Sequence, residues 1–186
     1  MKLTPAQLAA AVGCSAMRAE NWCISIDAAM LTFGITTPGR AAAFLAQIGH
    51  ESGGLQYTRE IWGPTPAQAG YEGRADLGNT QSGDGHLFRG RGLIQITGRA
   101  NYRACTLGLR KTLPATPDFE AEPGLLEGPR WAAMSAGWYW AEHGCNELAD
   151  AGQFTALTRR INGGTNGLAD RVALWEVAQV AMGVSA

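Results

Sequence analysis

Residues 37–54 read Thr37-Pro38-Gly39-Arg40-Ala41-Ala42-Ala43-Phe44-Leu45-Ala46-Gln47-Ile48-Gly49-His50-Glu51-Ser52-Gly53-Gly54. Thr37 has the side chain of a helix cap, and Pro38 suits the first helical position because no partner awaits its missing N–H. Apolar residues at Ala41, Phe44, Leu45 and Ile48 follow the i, i+3, i+4, i+7 spacing of a buried helical stripe. Glu51 continues that stripe three residues later, and Gly53-Gly54 ends the helix. A carboxylate on a core-facing stripe costs stability unless it is paired, protonated or useful. Glu51 is therefore the first candidate for chemistry, with a pKa expected to rise through desolvation.

The surrounding chain reads mostly as helix. Thr4-Pro5 opens one helix that runs through Leu8 towards Gly13, and a second extends from about Ala16 to a break at Gly34. Beyond the central helix, Leu55 to Trp62 alternates, placing Gln56, Thr58, Glu60 and Trp62 on one side of an extended segment. Gly63 to Gly92 holds 8 of the chain's 25 glycines and reads as a long loop, a cleft wall or lid. Leu93-Ile94-Gln95-Ile96-Thr97 is a short β-prone run. Helices are then predicted over Pro129–His143, Phe154–Ile161 and Asp170–Met182. The fold class is α+β, mostly α-helical, with a small β region at the cleft. Residues 1–186 are expected to form a single catalytic domain, with 1–36 as a helical N-terminal part and 37–182 as its core.

At 186 residues, 46% hydrophobic and 17% charged, the chain has the composition of a folded globular protein. A net charge of −1 gives no reason to expect nucleic-acid binding. Arg74, Arg89, Arg91, Arg99, Arg103 and Arg110 fall in one stretch with only Asp76 and Asp84 as acids. They form either a salt-bridged surface or a groove for an anionic polymer. Cys14, Cys23, Cys105 and Cys145 contain no C-x-x-C pair and are predicted as buried free thiols. Residues 1–5 lack the pattern of a signal peptide, and no apolar run approaches the length of a membrane span. The expectation is a protein made soluble in the cytoplasm, without stable membrane association, that something else releases towards its substrate.

Glycoside hydrolysis uses two carboxyls flanking the scissile bond. Glu51 fits the acid. Glu60, nine residues on and past a glycine turn, fits the base. Tyr57 and Trp62 lie beside them as candidate stacking surfaces for sugar, whereas Trp131, Trp138, Tyr139 and Trp140 read as core. Other chemistries fit less well. His50-Glu51 lacks the second histidine of H-E-x-x-H because position 54 is Gly54. His50, His86 and His143 show no zinc-ligand spacing, so no metal and no cofactor is expected. No phosphate loop or G-x-S-x-G elbow is present. A zinc-dependent wall amidase and a non-catalytic carbohydrate-binding module remain as readings of other classes.

Four blocks carry a family resemblance. Gly49-His50-Glu51-Ser52-Gly53-Gly54 resembles the helix-end acid motif of the family 19 glycoside hydrolases. The run from Gly90-Arg91-Gly92 through Ile96-Thr97 to Asn101-Tyr102 resembles that family's G-R-G-P-I-Q-L-[ST] block and its following Asn-Tyr, with Leu93 in place of the proline. Ile161-Asn162-Gly163-Gly164 and Asp170-Arg171 resemble its last two motifs. The blocks lie in the family's order across roughly residues 37 to 175. The resemblance implies a lysozyme-like, two-lobed fold and an inverting mechanism. It implies Glu51 as general acid, Glu60 as general base, and Thr97 as a holder of the attacking water. It also implies that Gln95, Asn101, Asn162 and Arg171 bind sugar or tie the carboxylates together, with Arg171 keeping Glu60 ionised. Plant members carry the second glutamate farther along, which makes Glu72 the alternative base. The compact size and the Glu51/Glu60 spacing resemble the phage and prophage endolysins of the family. From this follow peptidoglycan as the expected polymer, chitin as the alternative, a monomeric enzyme, and holin-type release.

Overall fold

The computed structural model describes residues 2–184. Its centre is the helix over Pro38–Glu51, capped by Thr37, whose side chain accepts from the Arg40 amide. Every residue from Ala41 to Gly49 is buried, so the predicted stripe is the most apolar part of a helix enclosed on all sides. The helix ends at Ser52, whose hydroxyl donates to the Ile48 carbonyl at 2.5 Å, and the chain turns away through Gly53 and Gly54 at φ 57° and 67°.

The chain order is α1 (Pro5–Val12), α2 (Ala16–Thr32), α3 (Pro38–Glu51), α4 (Pro66–Ala69), α5 (Asp84–Leu87), α6 (Arg99–Arg110), α7 (Pro129–Glu142), α8 (Cys145–Asp150), α9 (Phe154–Asn162) and α10 (Leu168–Met182). α10 lies along α3 in the most extensive helix pairing of the molecule. α1 packs on both, and α2 packs on α7. Phe44 of α3 meets Trp140 of α7 edge to face at 5.3 Å, an aromatic pairing that adds about 0.5–1.5 kcal/mol beyond its buried area. This helical body is one lobe. The segment between α3 and α6 forms the smaller one, and the cleft lies where they meet.

The small lobe departs from the sequence reading. Gly63–Gly92 is not a featureless loop. It contains α4, α5 and a single turn of 3-10 helix over Ala75–Leu77. The alternation predicted for Leu55–Trp62 starts late, because Leu55 sits at φ 62° inside a turn. Pairing is confined to Thr58–Glu60 beside Gly90–Gly92, through Glu60 N–H to Gly90 O (2.9 Å) and Gly92 N–H to Thr58 O (2.9 Å). Leu93–Thr97 is not a strand. Arg91 and Ile96 exchange two backbone bonds, and the residues between them turn, with Gly92 and Gln95 both at positive φ. The β-branched residues favour extension, and the glycine-initiated turn overrides them. Among the described residues, the β region consists of two isolated antiparallel bridges, Arg59 with Arg91 and Arg91 with Ile96.

The four cysteines are free; three are buried, but Cys14 is only half-buried. Burial pushes the Cys145 thiol up to about 12, which leaves it inert. Among the described residues, no helix is long and apolar enough to cross a membrane.

Candidate active site

Glu51 is the last residue of α3, with 17% of its side chain exposed. The sequence suggested an apolar surrounding, but the carboxylate has an arginine beside it. Arg171 of α10 donates from Nη2 to Glu51 Oε1 at 2.5 Å, and from Nη1 to Gln47 Oε1 at 2.5 Å. Gln47 lies one turn before Glu51 on the same face of α3, and its amide donates to Thr158 Oγ1 on α9 at 2.8 Å. Three helices thus fix the position of one carboxylate. Arg171 is 1% exposed, and the expectation that it serves Glu60 is corrected by this contact.

Glu60 is held from the small lobe. Its Oε1 accepts from Gln68 Nε2 (3.0 Å) and Tyr71 Oη (3.3 Å), and its Oε2 accepts from the Gly90 amide (3.0 Å). Burial, and then the carboxylate alongside, raise the Tyr71 phenol above its ordinary pKa, so the hydroxyl stays a donor. Gln68 can serve because α4 is closed by a capping box with Thr65, which fixes its amide between Glu60 and the Ile61 carbonyl. Glu72 is committed elsewhere. Its two oxygens accept from the Gly83 and Gly85 amides at 2.6 and 2.9 Å, so it braces the start of α5.

Gln95 and Thr97 assemble against Gly90, and Asn101 braces Thr97. Thr97 Oγ1 donates to Gln95 O (2.9 Å), Gln95 Nε2 to Gly92 O (2.8 Å) and Asn101 Nδ2 to Thr97 O (2.7 Å). A Cβ on Gly90 would stand 2.7 Å from Gln95 Oε1 and 3.3 Å from Thr97 Oγ1. Its absence lets these side chains close on the residue whose amide binds Glu60. Tyr57 and Trp62 line a hollow of about 510 Å³ with Glu60, Arg59, Arg89 and Glu127. Gln95, Thr97 and Asn101 line another of about 340 Å³ with Trp138, Tyr139 and His143. Asn162 ends α9 and is exposed.

The sequence assigns Tyr139 to the core and weighs His143 only as a zinc ligand, but the structure puts both at the lining of the second hollow. They stack at 3.7 Å on the cleft side. Burial chiefly, with Cys145 and Glu51 adding to it and Arg160 opposing, raises the Tyr139 phenol above its ordinary value, so the hydroxyl stays a donor, to the Arg160 carbonyl at 3.1 Å. Their i, i+4 spacing at the end of α7 was the available signal.

The histidines are engaged separately: His50 Nδ1 with Asp170 (2.5 Å), His86 Nε2 with Arg89 (3.1 Å), and His143 Nδ1 with Tyr139 O (2.8 Å). Among the described residues, no three His, Cys, Asp or Glu side chains are grouped to hold a metal ion. The arginine stretch is largely a salt-bridged surface. Arg74 pairs with Asp76, Arg91 with Glu127, Arg99 with Asp84 and Glu120, and Arg103 with Glu120.

No family model matches the chain. A glycosyl hydrolase family 19 domain-containing protein of Haemophilus influenzae is 36% identical over 183 residues, covering 84% of this chain and 86% of the relative. The chain belongs to glycosyl hydrolase family 19. It is accordingly a glycosidase. An Arabidopsis thaliana endochitinase is 37% identical over 123 residues, 66% of this chain and 39% of the relative. Two solved structures share the family 19 fold. Chitinase C from Streptomyces griseus has a TM-score of 0.73 and 24% identity, covering 98% of this chain and 77% of that one. A bacterial family 19 chitinase has a TM-score of 0.74 and 23% identity, covering 100% and 97%.

Proposed function

We propose that this family 19 glycosidase cuts β-1,4-linked N-acetylhexosamine chains with inversion, Glu51 donating the proton and Glu60 accepting one from water. The observation that carries the reading is the separate anchoring of two carboxylates, one from each lobe. In the proposed step, the Glu51 proton passes to the glycosidic oxygen as its bond to the anomeric carbon breaks. Water adds from the opposite face and gives its proton to Glu60, which requires the carboxyls to stand about 6.5–9.5 Å apart when substrate is bound. Thr97 spends its own hydrogen on Gln95 O, so its oxygen is free to accept from that water. Gln95, Asn101 and Asn162 are proposed to bind sugar, as are the rings of Tyr57 and Trp62, while Arg171 positions Glu51.

The proposed polymer is peptidoglycan. Arg59 and Arg89 line the Glu60 end of the cleft with Glu127, which pairs with Arg59 and with the buried Arg91. Burial first, then its neighbours Arg91 and Arg59, lower the pKa of Arg89. Three guanidiniums against the two carboxylates Glu60 and Glu127 leave one cation in excess there, which favours a polymer bearing peptide carboxylates. Chitin is the second reading, supported by the pairing of the other arginines and by the chitinase names of several relatives. One catalytic unit along the chain, acting as a monomer and released by a holin-type partner, completes the proposal.

The test is rate measurement on purified sacculi and on chitin oligomers, with products identified by mass spectrometry. Glu51→Gln and Glu60→Gln should each lower turnover by about 10²–10⁴-fold, and Glu72→Gln should leave it nearly intact. Equal losses for Glu60 and Glu72 would remove Glu60 from the base role. New amine ends without new reducing ends, abolished by a chelator, would point to an amidase. Faster turnover of chitin at both low and high salt would make chitin the substrate.

A further inference from the structure

At the far end of α3 from Glu51, a half-buried tryptophan stands between two hollows. Trp175 of α10 stacks on Phe154 with centroids 4.4 Å apart and parallel planes. Phe154 is 4% exposed, so the core fixes the orientation of the indole. One hollow, about 370 Å³, is lined by Trp175 with Gln153, Thr155 and Arg159; the other, about 520 Å³, by Trp175 with Thr37, Gly39, Asp150 and Gln179. Phe154 lines only the first, leaving Trp175 as the aromatic wall of the second.

Gly39 supplies an independent observation. It lies in the first turn of α3 without a positive φ, and a Cβ built on it meets nothing within 4 Å. Neither backbone conformation nor packing explains a glycine there, where glycine weakens a helix relative to alanine. A position left bare without internal cause, at the edge of a hollow, fits close approach of a ligand to the backbone. The polar groups around it are held rather than loose. Arg40 clamps Asp150 through Nε (2.8 Å) and Nη2 (2.5 Å), fixing the carboxylate oxygens as acceptors.

We infer that Trp175, Gly39, Asp150 and Gln179 form an accessory glycan-binding site, resting on the reading that this enzyme acts on an N-acetylhexosamine polymer. A rigid aromatic face suits the C–H surface of a pyranose ring, while planar amide and carboxylate groups suit its hydroxyls and acetamide. Twelve residues of helix separate Gly39 from Glu51, about 18 Å at 1.5 Å per residue. α10 runs antiparallel to α3, its start at Glu51 through Arg171 and its end at this hollow through Gln179. The site holds the polymer without taking part in bond cleavage.

Retention of Glu51→Gln protein on sacculi and on chitin beads tests this, in the parent and with Trp175→Ala or Gly39→Leu added. Each addition should cut retention on the bound polymer roughly tenfold. In protein that keeps Glu51, neither should change turnover of a short soluble oligosaccharide. Gly39→Leu enters the hollow from a position whose Cβ meets no protein atom within 4 Å, so it remains informative if Trp175→Ala folds poorly. Unchanged retention in both, or a parent that binds neither polymer, would overturn the inference. Failure of the glycosidase reading shows separately, as no new reducing ends from unsubstituted enzyme.

Discussion

Replacing Arg171 with methionine should cost stability in a way that a second substitution recovers. The guanidinium is buried and donates to Gln47 Oε1, Glu51 Oε1 and the Asn166 carbonyl. Removing one partner of a buried ion pair costs about 3–5 kcal/mol, because the other charge is left alone. Glu51 keeps some access to water, its side chain being 17% exposed, which argues for the lower end, about 3 kcal/mol. For a chain of this size that is a fall in Tm of roughly 6–12 °C. Adding Glu51→Gln to Arg171→Met removes the stranded charge and should restore about 1–2 kcal/mol, since a neutral amide is cheaper to leave there. Glu51→Gln alone should cost about 1–3 kcal/mol, because the amide oxygen still accepts from Arg171 but the buried guanidinium loses its counter-charge. Urea unfolding of the four proteins, followed by tryptophan fluorescence, measures the cycle. A loss below about 1 kcal/mol for Arg171→Met, or a double variant no more stable than it, would refute the electrostatic reasoning.

Gly90→Ala should fold yet lose roughly 10²-fold in kcat, since the new Cβ displaces Gln95 and Thr97 around Glu60; near-normal turnover with normal thermal unfolding would show that this close approach is dispensable. Glu120 predicts an acid limb of stability. Its bonds to Arg103, opposed by partial burial and reinforced by Arg99, lower its pKa to about 2. A depressed carboxylate contributes stability that is complete above its ordinary value near 4.5 and is lost as pH falls towards 2. Glu120→Gln should therefore be less stable than wild type at pH 7, with the difference shrinking across that window, and denaturant midpoints from pH 7 to 2 would check it.

What could be read from the sequence follows from where local signals agree with packing. For α3, the Thr-Pro cap, the apolar stripe and the glycine stop all point the same way. The small lobe gave no such agreement, yet a signal was present. Thr4-Pro5-Ala6-Gln7 and Thr65-Pro66-Ala67-Gln68 are the same tetrad, and each forms a capping box at a helix start. The first precedes a recognisable apolar run, while the second opens a four-residue helix too short to show any period. In α6 three arginines interleave with the buried face of Tyr102, Cys105, Thr106 and Leu109, so its stripe is thin in apolar residues. The placing of Arg171 beside Glu51 rather than Glu60 is a matter of how α10 lies on α3, which no local pattern encodes.

The unequal support of Glu51 and Glu60 has a consequence for heat. Glu51 belongs to the most enclosed helix of the molecule, where backbone amides exchange with solvent only when the whole fold opens. Glu60 depends on Gln68 and Tyr71, borne by a four-residue helix and the turn after it, a region that opens by itself at lower free energy. Hydrogen exchange should therefore run fast at residues 63–73 and slow along 41–49. On warming, the enzyme should fall silent while its helical body is still intact, and should recover its activity promptly on cooling.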